Sequence, residues 1–195
     1  MPKTRTMAID LSTRNLGWAC ASVGSNRPSF GLVKLPGMKD LGVLYASVRN
    51  GLTGLFEEHR PRRLVFCLAM FSDIQTTARA LNGVQAVAEL TAYDHEVEAF
   101  EAIESRARKA VLGRGHFGGK DPVTGSLVPG LGRKQAKEAV AQWSTRMGYE
   151  TDSDDVRDAL VLLEYALRQM GRPVNGRGST RDQRSDWERA IFTRS

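Results

Sequence analysis

The apolar residues of the first third of the chain fall in three short runs, Thr6–Leu11, Gly17–Val23 and Ser29–Leu35, and each reads as a β-strand. Gly24-Ser25-Asn26-Arg27-Pro28 supplies the turn between the second and third. Strands so closely spaced predict an antiparallel meander. The period then changes. Leu41, Leu44, Tyr45, Val48, Leu52, Leu55 and Phe56 recur at three- and four-residue spacing, the mark of an amphipathic helix, and Pro61 follows its end. Arg63–Met70 is a nearly continuous apolar run, as expected of a buried strand parallel to its neighbours. A second helix is predicted from Ile74 to Tyr93, with Ala78, Leu81, Val84, Gln85, Ala88 and Leu90 among its periodic positions. Gly83 weakens that helix locally and leaves room for another helix to approach.

Val97–Phe100 reads as a further short strand, and Ala102–Leu112, Arg133–Met147 and Ser153–Met170 as helices. The Gly- and Pro-rich stretch 113–132 is expected to be a long loop without regular structure. The order of elements predicts an α/β fold, a mixed sheet with helices over its faces. Residues 1–171 then form one domain and 172–195 a polar basic tail, in which Trp187, Ile191 and Phe192 are the residues able to dock.

Composition narrows the class. A chain of 195 residues suits one domain with a substantial core. No apolar run approaches the ~20 residues that span a bilayer, and no signal-peptide pattern follows Met1-Pro2-Lys3-Thr4-Arg5, which together predict a cytoplasmic protein with no membrane partner. Cys20 and Cys67, the only cysteines, make neither a disulfide framework nor a zinc pattern and are expected to be buried thiols. The net charge of +6 is unevenly spread. Ser105 to Arg146 holds nine Lys or Arg against Asp121 and Glu138, whereas Ala80 to Glu104 holds six acids and no Lys or Arg. Such polarity favours a polyanion on one face, although a solvated basic surface accounts for charge alone equally well.

Three acids carry the candidate chemistry. Asp10 ends the apolar run Met7-Ala8-Ile9, where a carboxylate is costly unless it is paired, satisfied by loop amides, or bound to a metal. Asp155 and Asp158 are three apart and share one face of the last predicted helix. Acids in a first turn also complement the helix dipole, and Thr151-Asp152-Ser153-Asp154 is good capping sequence. Acids from separate elements are what a divalent metal site requires, and two Mg²⁺ ions about 4 Å apart stabilise the attacking and leaving oxygens of a phosphodiester displacement.

The segment Ala8-Ile9-Asp10-Leu11-Ser12-Thr13-Arg14-Asn15-Leu16-Gly17-Trp18-Ala19 resembles the first motif of the RuvC family of Holliday-junction resolvases: an apolar strand ending in Asp, a small-residue turn and a Gly-led second strand. Asp155-Val156-Arg157-Asp158-Ala159-Leu160 resembles the family's C-terminal motif. Ala107-Arg108-Lys109-Ala110-Val111-Leu112-Gly113 and Lys134-Gln135-Ala136-Lys137 resemble the basic segment between them. The similarity runs from about residue 6 to 170, in the right order.

This resemblance implies an RNase H-like fold: a five-stranded sheet of three antiparallel strands followed by two parallel ones. It implies a structure-selective endonuclease of phage or bacterial type, cleaving branched DNA in recombination and repair. Mg²⁺ would be the cofactor, with Mn²⁺ able to substitute and two ions in a fully acidic site. Asp10, Asp155 and Asp158 would be metal ligands, and Lys134, or else Lys137, would lie near the scissile phosphate. Arg14, Arg108, Lys109, Arg114, Phe117, Lys120, Arg133 and Lys137 would bind DNA, with Phe117 stacking on a base or resting in a mobile loop. The helix over residues 74–93 would form a homodimer through Ala78, Leu81 and Gln85, placing two sites on a two-fold symmetric junction. Met70 or Phe71 would lie near the position of an aromatic wedge, or be a buried strand residue.

The fourth strand departs from the family. A metal-binding Glu is expected where Cys67 stands, and a neutral thiol is a poor ligand for a hard cation. Glu57, Glu58 and Asp73 lie nearby in sequence, but none is at the motif position. A junction-binding protein that keeps the fold but not full catalysis is therefore the alternative. The Ile9–Asn15 run also resembles the first phosphate loop of actin-like kinases; without a second glycine-rich phosphate loop, a nucleotide cofactor is not expected.

Overall fold

A computed structural model describes residues 4–25, 27–67, 74–120 and 124–170. The strands are β1 (Arg5–Leu11), β2 (Asn15–Ser22), β3 (Ser29–Lys34), β4 (Arg63–Cys67) and β5 (Glu98–Ala102). The helices are α1 (Leu41–His59), α2 (Gln75–Asp94), α3 (Glu104–Leu112), α4 (Leu131–Arg146) and α5 (Asp154–Met170). The sheet order is β3-β2-β1-β4-β5. β1 to β3 pair antiparallel, and β4 joins β1 and β5 in parallel. This is the mixed five-stranded RNase H-like sheet expected above.

Local sequence explains the boundaries. Ser12 closes the β1–β2 turn by accepting from the amides of Arg14 and Asn15 at 3.3 and 2.9 Å, which lets β2 begin at Asn15, two residues earlier than the sequence pattern predicts. Asp40 caps α1 by accepting from the Val43 amide at 3.1 Å. The chain leaves α1 through a left-handed Arg60 ahead of Pro61. The segment predicted to be irregular is partly ordered: Lys120 bridges Leu127, and α4 starts at Leu131. The strand pairing expected for 68–70, the wedge residues Met70 and Phe71, Asp73 and the tail 172–195 lie outside the described residues.

Two cores sandwich the sheet. Met7, Ile9, Leu64 and Phe66 point with α1 and α2 into one. Ala8, Ala19, Ala21 and Val65 face α5, α4 and α3 in the other. Strand alternation thus puts Asp10 and Cys67 on the α5 side, in phase with Ala8 and Val65. The small residues on that face let α5 pack close, and its consecutive buried run Ala159–Leu163 follows from being covered by the sheet and by the flanking helices α3 and α4. Trp143 is buried in this core, as the sequence predicts. On the opposite face Gly83 lies under the Tyr45 ring of α1, the close helix approach that its lack of a side chain permits.

Candidate active site

Asp10 lies at the end of β1, opposite Gly17 of β2. A Cβ on Gly17 would run into the backbone of Asp155 and stand 2.7 Å from the Val156 amide nitrogen. The glycine therefore admits the first turn of α5 onto the sheet beside Asp10. Ser153 fixes the start of that helix, its hydroxyl accepting from the Val156 amide at 3.4 Å. Asn15 then holds Asp155: its side-chain amide donates to Oδ2 at 2.8 Å, and its own carbonyl accepts from Lys34 Nζ at 3.2 Å. Nothing in the sequence pattern singles out Asn15 or Lys34. Neither belongs to a residue type that stands out as a ligand, and their positions on adjacent strands matter only once β2 and β3 pair.

The electrostatics mark this place as unusual. Asp10 is half-buried, and its carboxyl receives no hydrogen bond from any described residue. Burial pushes its pKa well above the ordinary carboxylate value, and repulsion from Asp158, Asp155 and Glu104 adds to this. Burial likewise raises Asp158 to about 6, against the opposing pull of Arg108. Cys67 is half-buried rather than fully buried as expected, while Cys20 is buried. Burial and the negative charge of Asp10 push the Cys67 thiol upward, so it remains a neutral S–H at neutral pH. Gln85 donates to the Cys67 carbonyl at 2.7 Å and ties α2 to the end of β4.

Arg108 is the nearest cation. Predicted to face DNA, it instead turns inward with its side chain only 16% exposed, and its Nη2 pairs with Glu104 and, at 3.5 Å, with Asp158. Its buried Nε has no hydrogen-bond partner. Lys137 reaches the start of α5, pairing with Asp154 at 2.6 Å and holding that carboxyl below its ordinary value. Lys134 does not touch the acids; its side chain is 75% exposed and lies 3.9 Å from Glu138. Arg14, Lys109, Arg114, Lys120 and Arg133 are exposed. Arg114 covers the Phe117 ring at 5.4 Å in a cation–π contact, so the ring is engaged within its own loop.

A divalent cation fits this donor set in kind. Hard carboxylate groups lie within electrostatic reach of one another, and Asp10 lacks a hydrogen-bond donor among the described residues. Among the described residues no three His, Cys, Asp or Glu side chains already stand close enough to form a ligand group.

Burial of these acids has a measurable consequence. Because the fold raises the pKa of Asp158 to about 6, it favours the protonated acid. That stabilisation is complete below the ordinary carboxylate range and is lost as pH rises through the folded value. Asp10 acts in the same direction. In urea titrations of metal-free protein between about pH 4 and pH 6.5, the unaltered chain is expected to lose stability relative to Asp158→Asn. Parallel profiles for the two would contradict the shift.

No protein-family profile matches the chain. Among curated proteins it is 24% identical over 177 residues to crossover junction endodeoxyribonuclease RuvC of Bartonella henselae, covering 89% of this chain and 95% of that one. The solved structure of Thermus thermophilus RuvC superimposes with a TM-score of 0.63 at 16% identity, over 86% of this chain and 97% of that one. RuvC of the same organism in complex with Holliday junction substrate gives 0.62 at 13% identity, over 86% and 96%. The yeast mitochondrial Holliday junction resolvase gives 0.52 at 16% identity, over 86% and 79%.

Proposed function

We propose that this chain, RuvC-like in fold, is a metal-dependent endonuclease that cleaves branched DNA. The observation that supports the reading most is that Asp10 at the end of β1 lies close enough to Asp155 and Asp158 of α5 to be repelled by both, with no described residue donating a hydrogen bond to it. These three carboxylates would hold Mg²⁺ or Mn²⁺. Such an ion, when bound, polarises the phosphate and makes water a better nucleophile at neutral pH. The chain's own residues position the substrate and the acids. Asn15 orients Asp155 through its 2.8 Å hydrogen bond. Lys137 sets the first turn of α5 through Asp154. The exposed Arg14, Lys109, Arg114, Lys120 and Arg133 are suited to phosphate contacts, whose strength falls steeply with salt.

A two-fold symmetric junction calls for two sites. The exposed face of α2 supports a homodimer: Leu90 is 58% exposed and Tyr93 82%, whereas Ala78 and Leu81 are half-buried and Gln85 is engaged with Cys67. Among the described residues no helix is long and apolar enough to cross a membrane.

The test is incubation of a synthetic four-way junction with the purified chain and Mg²⁺ or Mn²⁺. Divalent-dependent nicking of paired strands is expected, with binding that weakens as salt rises. Cys67 favours the second reading, a junction binder with impaired catalysis, because a neutral thiol stands on the acidic face. Tight junction binding without cleavage by the unaltered chain, and cleavage by Cys67→Glu, would establish that reading instead.

A further inference from the structure

We propose that Glu104, the first residue of α3, supplies the metal-ligating carboxylate that β4 lacks at Cys67. The inference rests on the metal-dependent reading above and concerns how its site is completed. Parallel pairing sets Cys67 opposite Ala102 on β5, and Glu104 follows two residues later, where the chain turns from β5 into α3. An acid absent from the end of one strand is thus present just past the end of the adjacent strand.

Three observations place Glu104 at the site. The same guanidinium nitrogen of Arg108 contacts Glu104 and, at 3.5 Å, Asp158, so the two carboxylates flank a single atom. The negative charge of Glu104 is felt at Asp10, Cys67 and Asp158 alike. The half-buried Asp10 carboxyl, repelled by Asp158, Asp155 and Glu104 and with no hydrogen bond from a described residue, leaves the same region short of positive charge. Arg108 answers part of that need with one charge, and imperfectly, since its own buried Nε has no partner. A divalent cation brings two charges and suits oxygen donors from several elements. It competes with Arg108 for Glu104 and Asp158, and a displaced guanidinium is well shaped for a phosphate.

Glu104 also has an ordinary structural reason to exist. It is an acid in the first turn of a helix and pairs with Arg108 at i,i+4 spacing. The test has to separate the two roles. Mn²⁺ binding to metal-free protein, without DNA, is measured by calorimetry or by the electron paramagnetic resonance of free Mn²⁺. Thermal melts establish that each variant is folded. Glu104→Gln is expected to weaken Mn²⁺ by roughly tenfold or more. Glu104→Asp keeps the charge and the helix preference but withdraws the carboxyl, and is also expected to weaken it. Glu89→Gln, which removes the same charge from the exposed side of α2, is expected to leave binding within about twofold, since exposed charges at a distance are screened. Adding Cys67→Glu to Glu104→Gln returns the acid to β4 and is expected to restore binding. Unchanged affinity in both Glu104 variants, with loss in Asp10→Asn, overturns this inference and leaves the metal-dependent reading intact. Failure of the unaltered chain and of Cys67→Glu to bind Mn²⁺ overturns both.

Discussion

Asp10→Asn is expected to abolish divalent-dependent junction cleavage while raising the thermal midpoint of the metal-free protein. Catalytic and stability effects of opposite sign are the signature of an acid kept for a cation. At neutral pH the fold confines the Asp10 charge next to Asp158 and Asp155, with burial the largest penalty on it. Asparagine has nearly the same shape and no charge, so it removes both the desolvation cost and the repulsion. A gain of about 1–3 kcal/mol is the expected order for relieving a buried uncompensated group, or a few degrees in midpoint for a chain of this size. Since the folded pKa of Asp10 is raised, the gain should grow as pH rises and vanish in acid, where Asp10 is already protonated. Cleavage should fall by at least about a hundredfold, because a neutral amide is a weaker ligand for a hard cation. Differential scanning calorimetry in chelator and junction cleavage in Mg²⁺ measure the two effects. A variant that melts earlier than the parent at neutral pH, or that still cuts, would show Asp10 to be a satisfied structural acid.

Gly17→Ala is expected to damage the site from the other side. The new Cβ meets the Asp155 carbonyl and stands 2.7 Å from the Val156 nitrogen, all of it helix backbone that cannot rotate away. The first turn of α5 must lift from β2. Overpacking of this kind costs about 1–3 kcal/mol, but cleavage should suffer more than stability does. Asp155 would be drawn off its 2.8 Å bond to Asn15, and Asp155 and Asp158 would both shift against Asp10. A misplacement of about 1 Å in a catalytic constellation is worth on the order of a hundredfold in rate. Urea titration and cleavage at a temperature where the variant is fully folded separate the two losses. Gly83→Ala is the matched control: the neighbour there is the Tyr45 side chain on the far face of the sheet, which can move without touching the acids. Equal loss of cleavage in both variants would remove the special role of Gly17.

Much of the architecture was legible in one dimension. The short apolar runs predict five strands, the switch to helical spacing predicts α1 and α2, and three-residue spacing puts Asp155 and Asp158 on one helical face. The Cys67 gap was likewise visible, and Cys67 does lie on the acidic side of the sheet. The pattern says less about where the cations lie in the folded chain. Arg108 reads as one more cation in a basic stretch, yet it folds inward onto Asp158 because α3 packs beside α5. Lys137, rather than Lys134, reaches the first turn of α5, a difference of one helical turn that only the seating of α4 determines. Glu104 attracts no notice at all among the acids of residues 80–104.

The division has a physical cause. Periodicity, turn residues and charge are local properties, written within a few residues of one another, so the sequence by itself determined the elements and their hydrophobic faces. The site is made of contacts between elements. Asn15 meets Asp155 across 140 positions and Arg108 meets Asp158 across 50. Those meetings depend on parallel pairing of β4 with β1 and β5, and on a glycine that lets one helix end touch the sheet. Only the tertiary structure could decide which carboxylates share a field and which cation already lies between them, because repulsion and desolvation act through space and not along the chain.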